Sequence, residues 1–301
     1  MEGDVRIHGK SATIYVVASS TYRPENSTIK IRPYVQKWER GTMSKIQVMS
    51  IRSTSPAAAG DDIIVPPRCT VRHDVPVVVF STDTYRTNYF HAMSDIIVPL
   101  YTTAHEFDGN VQLLIAGYDL CLYPVIDLDA AAAVRCFLAT AIGLEGHKIL
   151  GIDPSLSRNG YTMMGFCDFL RSTFSLPRPW STPIGQKKPR LVMVLRRHSR
   201  ALTNEADAVA AMAGLRFDVV AAAPEEVRDM DRFASVMNSC DVMVGVHGAG
   251  LTNMVFLPHK QTRLRDATLV QIIPWGAMKW AFWYDFGQPA PGMGLRYVET
   301  R

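Results

Sequence analysis

Mostly apolar runs of strand length recur through the second half of the chain. They are Leu191 to Leu195, Phe217 to Ala221, Val242 to Val246 and Leu269 to Ile273. Runs this short and this apolar predict strands buried on both faces. Amphipathic stretches lie between them. Thr203 to Ala213 reads as a helix. Pro224 opens another, in which Val227, Met230, Ala234 and Met237 recur at helical spacing. Glu225 and Glu226 fall in its first turn, where negative charge suits the helix dipole. A glycine-rich turn and a short helix near Leu251 to Phe256 follow the third run. Strands alternating with helices predict parallel βαβ units and a doubly wound α/β sheet.

The first half is less regular. Val77 to Phe80 and Val111 to Ala116 read as strands, and alternating stretches occur around Ala12 to Val17 and Ile29 to Val35. Asn88 to about Thr103 reads as a helix with Phe90, Met93, Ile97 and Leu100 on one face, and Pro99 is expected to kink it or end it early. Asp129 to about Ile142 reads as an alanine-rich helix. Between Ser175 and Pro189 the prolines at 177, 179, 183 and 189 exclude regular helix and central strand. That stretch predicts three parts: an N-terminal α/β domain over 1–176, a linker over 177–189 and a C-terminal α/β domain over 190–301.

Composition narrows this picture little. About half of the 301 residues are apolar, enough for a sizeable core. The net charge of +4 is dispersed and gives no argument for nucleic acid. No stretch reaches the roughly 20 apolar residues that span a bilayer, and the start, Met1 to Asp4, has no signal-peptide pattern. The five cysteines show no metal-ligand spacing, and Cys136 and Cys240 are expected to be buried free thiols. One sequon, at Asn26, matters only in the secretory pathway.

Three constellations can carry chemistry. In the first, the strand ending at Val246 runs into His247-Gly248-Ala249-Gly250 and then a helix. Ligands of open α/β sheets bind at such carboxyl ends, and the N–H groups of the next helix's first turn can face an anion. An ordinary strand-to-helix turn has the same spacing. In the second, Arg196 to Arg200, then Asn204 and Glu205, follow another strand, where arginines can fork onto a diphosphate. Glu205 can cap the next helix, hold an arginine or meet a ribose hydroxyl. In the third, His91 and Asp95 are four residues apart and share a helix face, as a general base and its orienting carboxylate would. A surface ion pair has the same spacing. The triplets Asp127-Leu128-Asp129 and Asp229-Met230-Asp231 read as structural. The first is a strand end with a helix cap, and the second lies inside a helix, so no metal site is expected.

Taken in order, Asn88 to His91 with Asp95, Arg196 to Arg200 with Asn204 and Glu205, Val244 to Asn253, and Val270 to Gly276 resemble plant members of glycosyltransferase family 61. That group holds grass xylan arabinosyl- and xylosyltransferases. The resemblance implies a GT-B architecture, with two Rossmann-like domains facing across a cleft. It implies inverting transfer of a pentose from a UDP-sugar to a xylan-type acceptor, with no tightly bound cofactor and no metal. Arg196, Arg200, His247, Gly248, Ala249 and Gly250 would hold the diphosphate. Asn204, Glu205, Asn253 and Gln271 would lie near the donor. His91 or Asp95 would deprotonate the acceptor. The family also implies a type II membrane protein of the Golgi lumen, whose anchor this chain lacks. Three departures from the family pattern stand out: a short connection from Asp119 to Tyr123, an inserted stretch from Lys260 to Asp266, and an early stop at Arg301. They imply a shortened chain. They also keep open a non-catalytic paralogue that serves as a binding or scaffold partner in a Golgi complex.

Overall fold

The structure, a computed structural model, describes residues 2–17, 28–35, 40–54, 65–82, 87–116, 126–127, 133–179, 188–197, 199–223, 229–259, 267–275 and 283–300. The sequon at Asn26, Cys121, the whole 119–123 connection, the 260–266 stretch, His198, and 180–187 of the proline-rich stretch lie outside the described residues. Contacts divide the chain into two compact units, Met1–Thr87 with Asp95–Gly146, and Asn88–Ser94 with His147–Arg301.

The first unit is built on a mixed sheet, with the short helix α1 (Arg40–Lys45) leading into one of its strands. Its strands are β1 (Glu2–His8), β2 (Thr13–Val17), β3 (Thr28–Ile31), β4 (Met49–Thr54), β5 (Val71–Arg72), β6 (Val77–Ser81), β7 (Gln112–Ala116), β8 (Ile126–Asp127) and β9 (Val134–Ile142). They lie in the order β3-β4-β2-β1-β9-β6-β7-β8, with β5 beside β9. β6 is parallel to both β7 and β9, while β1 is antiparallel to β2 and β9. The sheet is therefore mixed, unlike the parallel Rossmann-like sheet that the resemblance implied. β6 is buried along its whole length because both sheet faces are covered. Val77 and Val79 join Val5, Ile7, Ile14 and Leu114 on one face; Val78 and Phe80 join Ile96, Ile115 and Leu144 on the other.

β9 corrects the helix expected up to Ile142. The alanine run suggested a helix, but helix preference amounts to only a few tenths of a kcal/mol per residue. Against it stand two ladders, to β1 and to β6, and β-branched Val134, Thr140 and Ile142. The same strand corrects the reading of Cys136. The two-residue strand β5 sets Arg72 opposite Cys136, and Cys136 forms a disulfide with Cys69. Cys167 and Cys240 are buried free thiols.

The segment 89–105 is helical, as expected, but in three pieces: α2 (Tyr89–His91), a π turn (Ala92–Ile97) and α3 (Val98–His105). Asn88 caps the start by accepting from the Phe90 N–H at 3.1 Å. Pro99 has no N–H to give the preceding turn, and the widened turn stands just before it. The helix runs on past Pro99 to His105.

The second unit contains α4 (Met163–Thr173) and a five-stranded sheet. The sheet strands are β10 (Arg190–Val194), β11 (Asp218–Ala222), β12 (Val242–Val246), β13 (Thr268–Ile272) and β14 (Arg296–Thr300). Every pair is parallel, and the order is β11-β10-β12-β13-β14. This is the doubly wound sheet predicted from the apolar runs, plus the edge strand β14, whose alternating exposure gave no apolar run. Helices α5 (Glu205–Gly214) and α6 (Met230–Asn238) connect the first three strands. Asp229 does not lie inside a helix: it caps α6, its carboxylate accepting from the Arg232 N–H at 3.2 Å.

Gly146 and His147 fall in different units, and Asn88–Ser94 falls with the second. Arg178, at the start of the proline-rich stretch, is fastened to the C-terminal sheet. Its guanidinium meets Asp241 at 2.8 Å, and its backbone N–H donates to Asn238 Oδ1 at 2.9 Å. Asp241 also accepts from the backbone N–H of Arg190 at 2.8 Å, which ties the stretch to the first strand. Among the described residues no helix is long and apolar enough to cross a membrane.

Candidate active site

The strand order fixes where a ligand can enter the C-terminal sheet. From β10 the chain crosses to β11 on one side, and from β11 it returns to β12 on the other. The crevice outside the carboxyl ends of β10 and β12 is therefore the topological switch point, where open α/β sheets bind their ligands. The two loops singled out from sequence, 195–204 and 247–250, both start there.

Glycine makes their close approach possible. A Cβ on Gly248 would lie 1.7 Å from Nη1 of Arg196 and 2.7 Å from its Cζ, so the guanidinium lies directly against the loop backbone. Gly248 also has φ +156°. Ser199 holds Arg196 in place: Nε donates to the Ser199 carbonyl at 2.7 Å and Nη2 to its hydroxyl at 3.0 Å. Arg200 adopts φ +55°. Burial lowers its pKa, and so does the nearby charge of Arg196. An anion bound here would relieve that repulsion on Arg200. Ala249 and Gly250 begin a 3-10 helix, Ala249–Phe256, whose leading N–H groups have no partner in their own turn.

His247 is 8 % exposed and held from two sides. Gln271, on β13 and fully buried, donates its Nε2 to His247 Nδ1 at 3.1 Å. That bond places the ring proton on Nε2, which faces Oδ2 of Asp285 at 3.7 Å. Burial first, then the charges of Arg200 and Arg196, push the imidazole down to about 4. His247 is therefore neutral at pH 7 and can serve an anion as an N–H donor but not as a cation. The Tyr297 hydroxyl lies 3.4 Å from Gln271 Oε1 and 3.0 Å from Glu299 Oε2.

The remaining expected residues divide. Glu205 is ion-paired with Arg197 at 2.8 Å, one of the alternatives its position left open. Asn204 stands before α5 without a side-chain capping bond. Asn253 is buried and donates to the Gly250 carbonyl at 2.9 Å, so it shapes the loop from beneath. His91 belongs to the C-terminal unit, where it enters through an aromatic chain. Phe90 meets His91 at 5.5 Å and Phe286 at 5.4 Å, and Phe286 meets His247 at 5.5 Å. Asp95 belongs to the other compact unit. It is 3 % exposed and faces the Tyr34 hydroxyl at 3.4 Å. Asp285 and Phe286 were not singled out from sequence. The visible signal was a lone acid inside an aromatic run, Phe282-Trp283-Tyr284-Asp285-Phe286.

Comparison with known proteins now identifies the site's setting. The family model described as Glycosyltransferase 61 matches residues 89–264. An alpha-1,3-arabinosyltransferase of Oryza sativa subsp. japonica is 38% identical over 99% of this chain and 51% of its own length. A beta-1,2-xylosyltransferase of the same plant is 35% identical over 99% of this chain and 68% of its own. A xylan glycosyltransferase of Arabidopsis thaliana is 31% identical over 99% of this chain and 64% of its own. The chain thus spans about half the length of the arabinosyltransferases it matches.

Proposed function

The chain belongs to the glycosyltransferase 61 family, and from that membership we propose that it transfers a pentose, xylose or arabinofuranose, from a UDP-sugar to a xylan-type acceptor with inversion at the sugar carbon. The observation that carries the reading is the anion cradle at the switch point, where Arg196, Arg200 and the Gly248–Gly250 backbone converge. An inverting transfer forms one bond as another breaks in line with it. The acceptor oxygen bonds to the sugar carbon, and the diphosphate leaves with the electron pair. Two guanidiniums and backbone N–H groups stabilise the charge that develops on it. His91 takes the proton of the acceptor hydroxyl. His247, neutral and already hydrogen-bonded, orients a phosphate or sugar oxygen. In this proposal the two units form the halves of a GT-B enzyme, no metal takes part, and the protein works in the Golgi lumen.

The decisive experiment incubates the purified chain with xylo-oligosaccharides and either UDP-xylose or UDP-arabinofuranose, and follows both UDP release and the extended product. Product with one donor supports the proposal. UDP binding without transfer by folded protein would instead identify a non-catalytic member of the family. Another nucleotide binding where UDP does not would overturn the donor assignment.

A further inference from the structure

The resemblance places Gln271 near the donor. Its side chain is fully buried, so it meets His247 rather than a ligand. What holds Gln271 comes from the edge of the sheet. β13 and β14 run parallel, with Leu269 opposite Tyr297 and Gln271 opposite Glu299. Alternation along each strand puts these four side chains on one face. The Tyr297 hydroxyl leans along that face to lie 3.4 Å from Gln271 Oε1 and 3.0 Å from Glu299 Oε2. Burial, and then Glu299 beside it, push the ionisation of that hydroxyl up, so it stays a donor at neutral pH. A donor here faces the oxygen end of the Gln271 amide, which turns the NH2 end toward His247. Nε2 of Gln271 then donates to Nδ1 of His247 at 3.1 Å. The backbone of the same histidine is fixed to β13 as well, its N–H donating to the Ile272 carbonyl at 3.0 Å. The ring of Tyr297 supports His247 in a second way. It lies against the π turn Trp283–Gly287: a Cβ on Gly287 would sit 2.8 Å from Tyr297 Cε1 and 2.3 Å from Trp283 Cδ1. In that turn Phe286, 1 % exposed, meets the His247 ring edge-on at 5.5 Å. A polar relay and an apolar wall thus converge on one imidazole, and Tyr297 adjoins both.

We infer that Tyr297, on the edge strand, is a positioning residue for donor binding: through Gln271 it holds the His247 imidazole with its proton on Nε2, presented to a phosphate or sugar oxygen in the crevice. The inference rests on the donor reading above, but the relay itself is a property of the protein without ligand. Gln271 and Tyr297 touch no part of the donor. Whatever they contribute to its binding passes through His247.

The first measurement needs no ligand. Protein with isotope-labelled histidine nitrogens is examined by NMR, and the ring signals of His247 are identified by their loss in His247→Ala. The wild type is expected to show a protonated Nε2 and a bare, hydrogen-bonded Nδ1. Tyr297→Phe removes only a hydroxyl and keeps the ring against Gly287, so it tests the relay with the wall intact. It should move the Nδ1 signal of His247 or bring in the second tautomer. A proton on Nδ1 in the wild type, or His247 signals that Tyr297→Phe leaves unchanged, overturns the inference. The second measurement is UDP affinity by calorimetry. Gln271→Leu is expected to weaken UDP binding about tenfold and Tyr297→Phe about threefold, each through a lost hydrogen bond. In a His247→Ala background neither should add more than about twofold, because the path to the donor is then gone. A full loss that persists in that background overturns the inference, since it would show direct contact with the donor or a general loss of structure. Wild-type affinity in both single variants overturns it too. If the His247 signals behave as expected and wild-type protein binds no UDP, the relay stands and the donor reading falls.

Discussion

Arg196 and Gly248 depend on each other. The guanidinium occupies the space that any side chain at 248 would need. Gly248→Ala should therefore displace Arg196 and weaken UDP binding tenfold or more by calorimetry, a loss of at least about 1.4 kcal/mol. Arg196→Ala and Arg200→Ala remove charge-assisted bonds worth roughly 1.5–3 kcal/mol each, so each should weaken UDP binding about 10- to 100-fold. Unchanged affinity in either would overturn the donor assignment. Two histidines link pH to stability. His247 and His259 are both pushed down to about 4 from 6.5, chiefly by burial. The unfolded chain then takes up their protons first. Their contribution is intact above about pH 6.5 and drains away as pH falls toward 4. Melting temperature should drop across that window, and His259→Gln should flatten the drop without touching UDP affinity. His91, His247 and the arginines were legible as residue types set at strand ends or on a helix face. Asp285 was not, because its neighbour His247 comes from 38 positions away, and no local spacing encodes such a meeting.

Elements were legible where burial on both faces produced an uninterrupted apolar run. β10 and β12 declared themselves in this way, and the alternation with helices predicted their parallel pairing. β14 and β9 did not. β14 is an edge strand with alternating exposure. β9 begins after an alanine run, and its strand character comes from neighbours far away in sequence. The acid triplet at 229–231 shows the same limit at a helix end, where one residue of offset separates a cap from an interior position. Since Asp229 caps α6, Asp229→Ala should cost about 1 kcal/mol and lower the melting temperature by roughly 2–4 °C. UDP affinity should not change, with or without added divalent cation. A cation-dependent loss of binding in this variant would return the triplet to the site.

At the scale of the whole molecule, the Cys69–Cys136 disulfide clips a loop to the strand that joins the two halves of the N-terminal sheet. It closes a sequence separation of 67 residues, for which chain entropy gives a stabilisation of about 4 kcal/mol. Reduction, or Cys136→Ser, should lower the melting temperature by several degrees and should act on unfolding of that unit first. An unchanged melting curve under reductant would show that the bond contributes nothing. The division into two units has a further outcome for anyone who trades parts between relatives to change which sugar is moved. The proline-rich stretch is the obvious splice point. A hybrid joined there inherits Asn88 to Ser94 from one parent and Trp283 to Gly287 from the other, although both segments belong to the same compact unit. Phe90, the neighbour of His91, and Phe286 would then meet as strangers. Hybrids that carry residues 88–94 together with the C-terminal half keep that meeting intact, and they are the ones in which a changed donor preference could be read from the crevice alone.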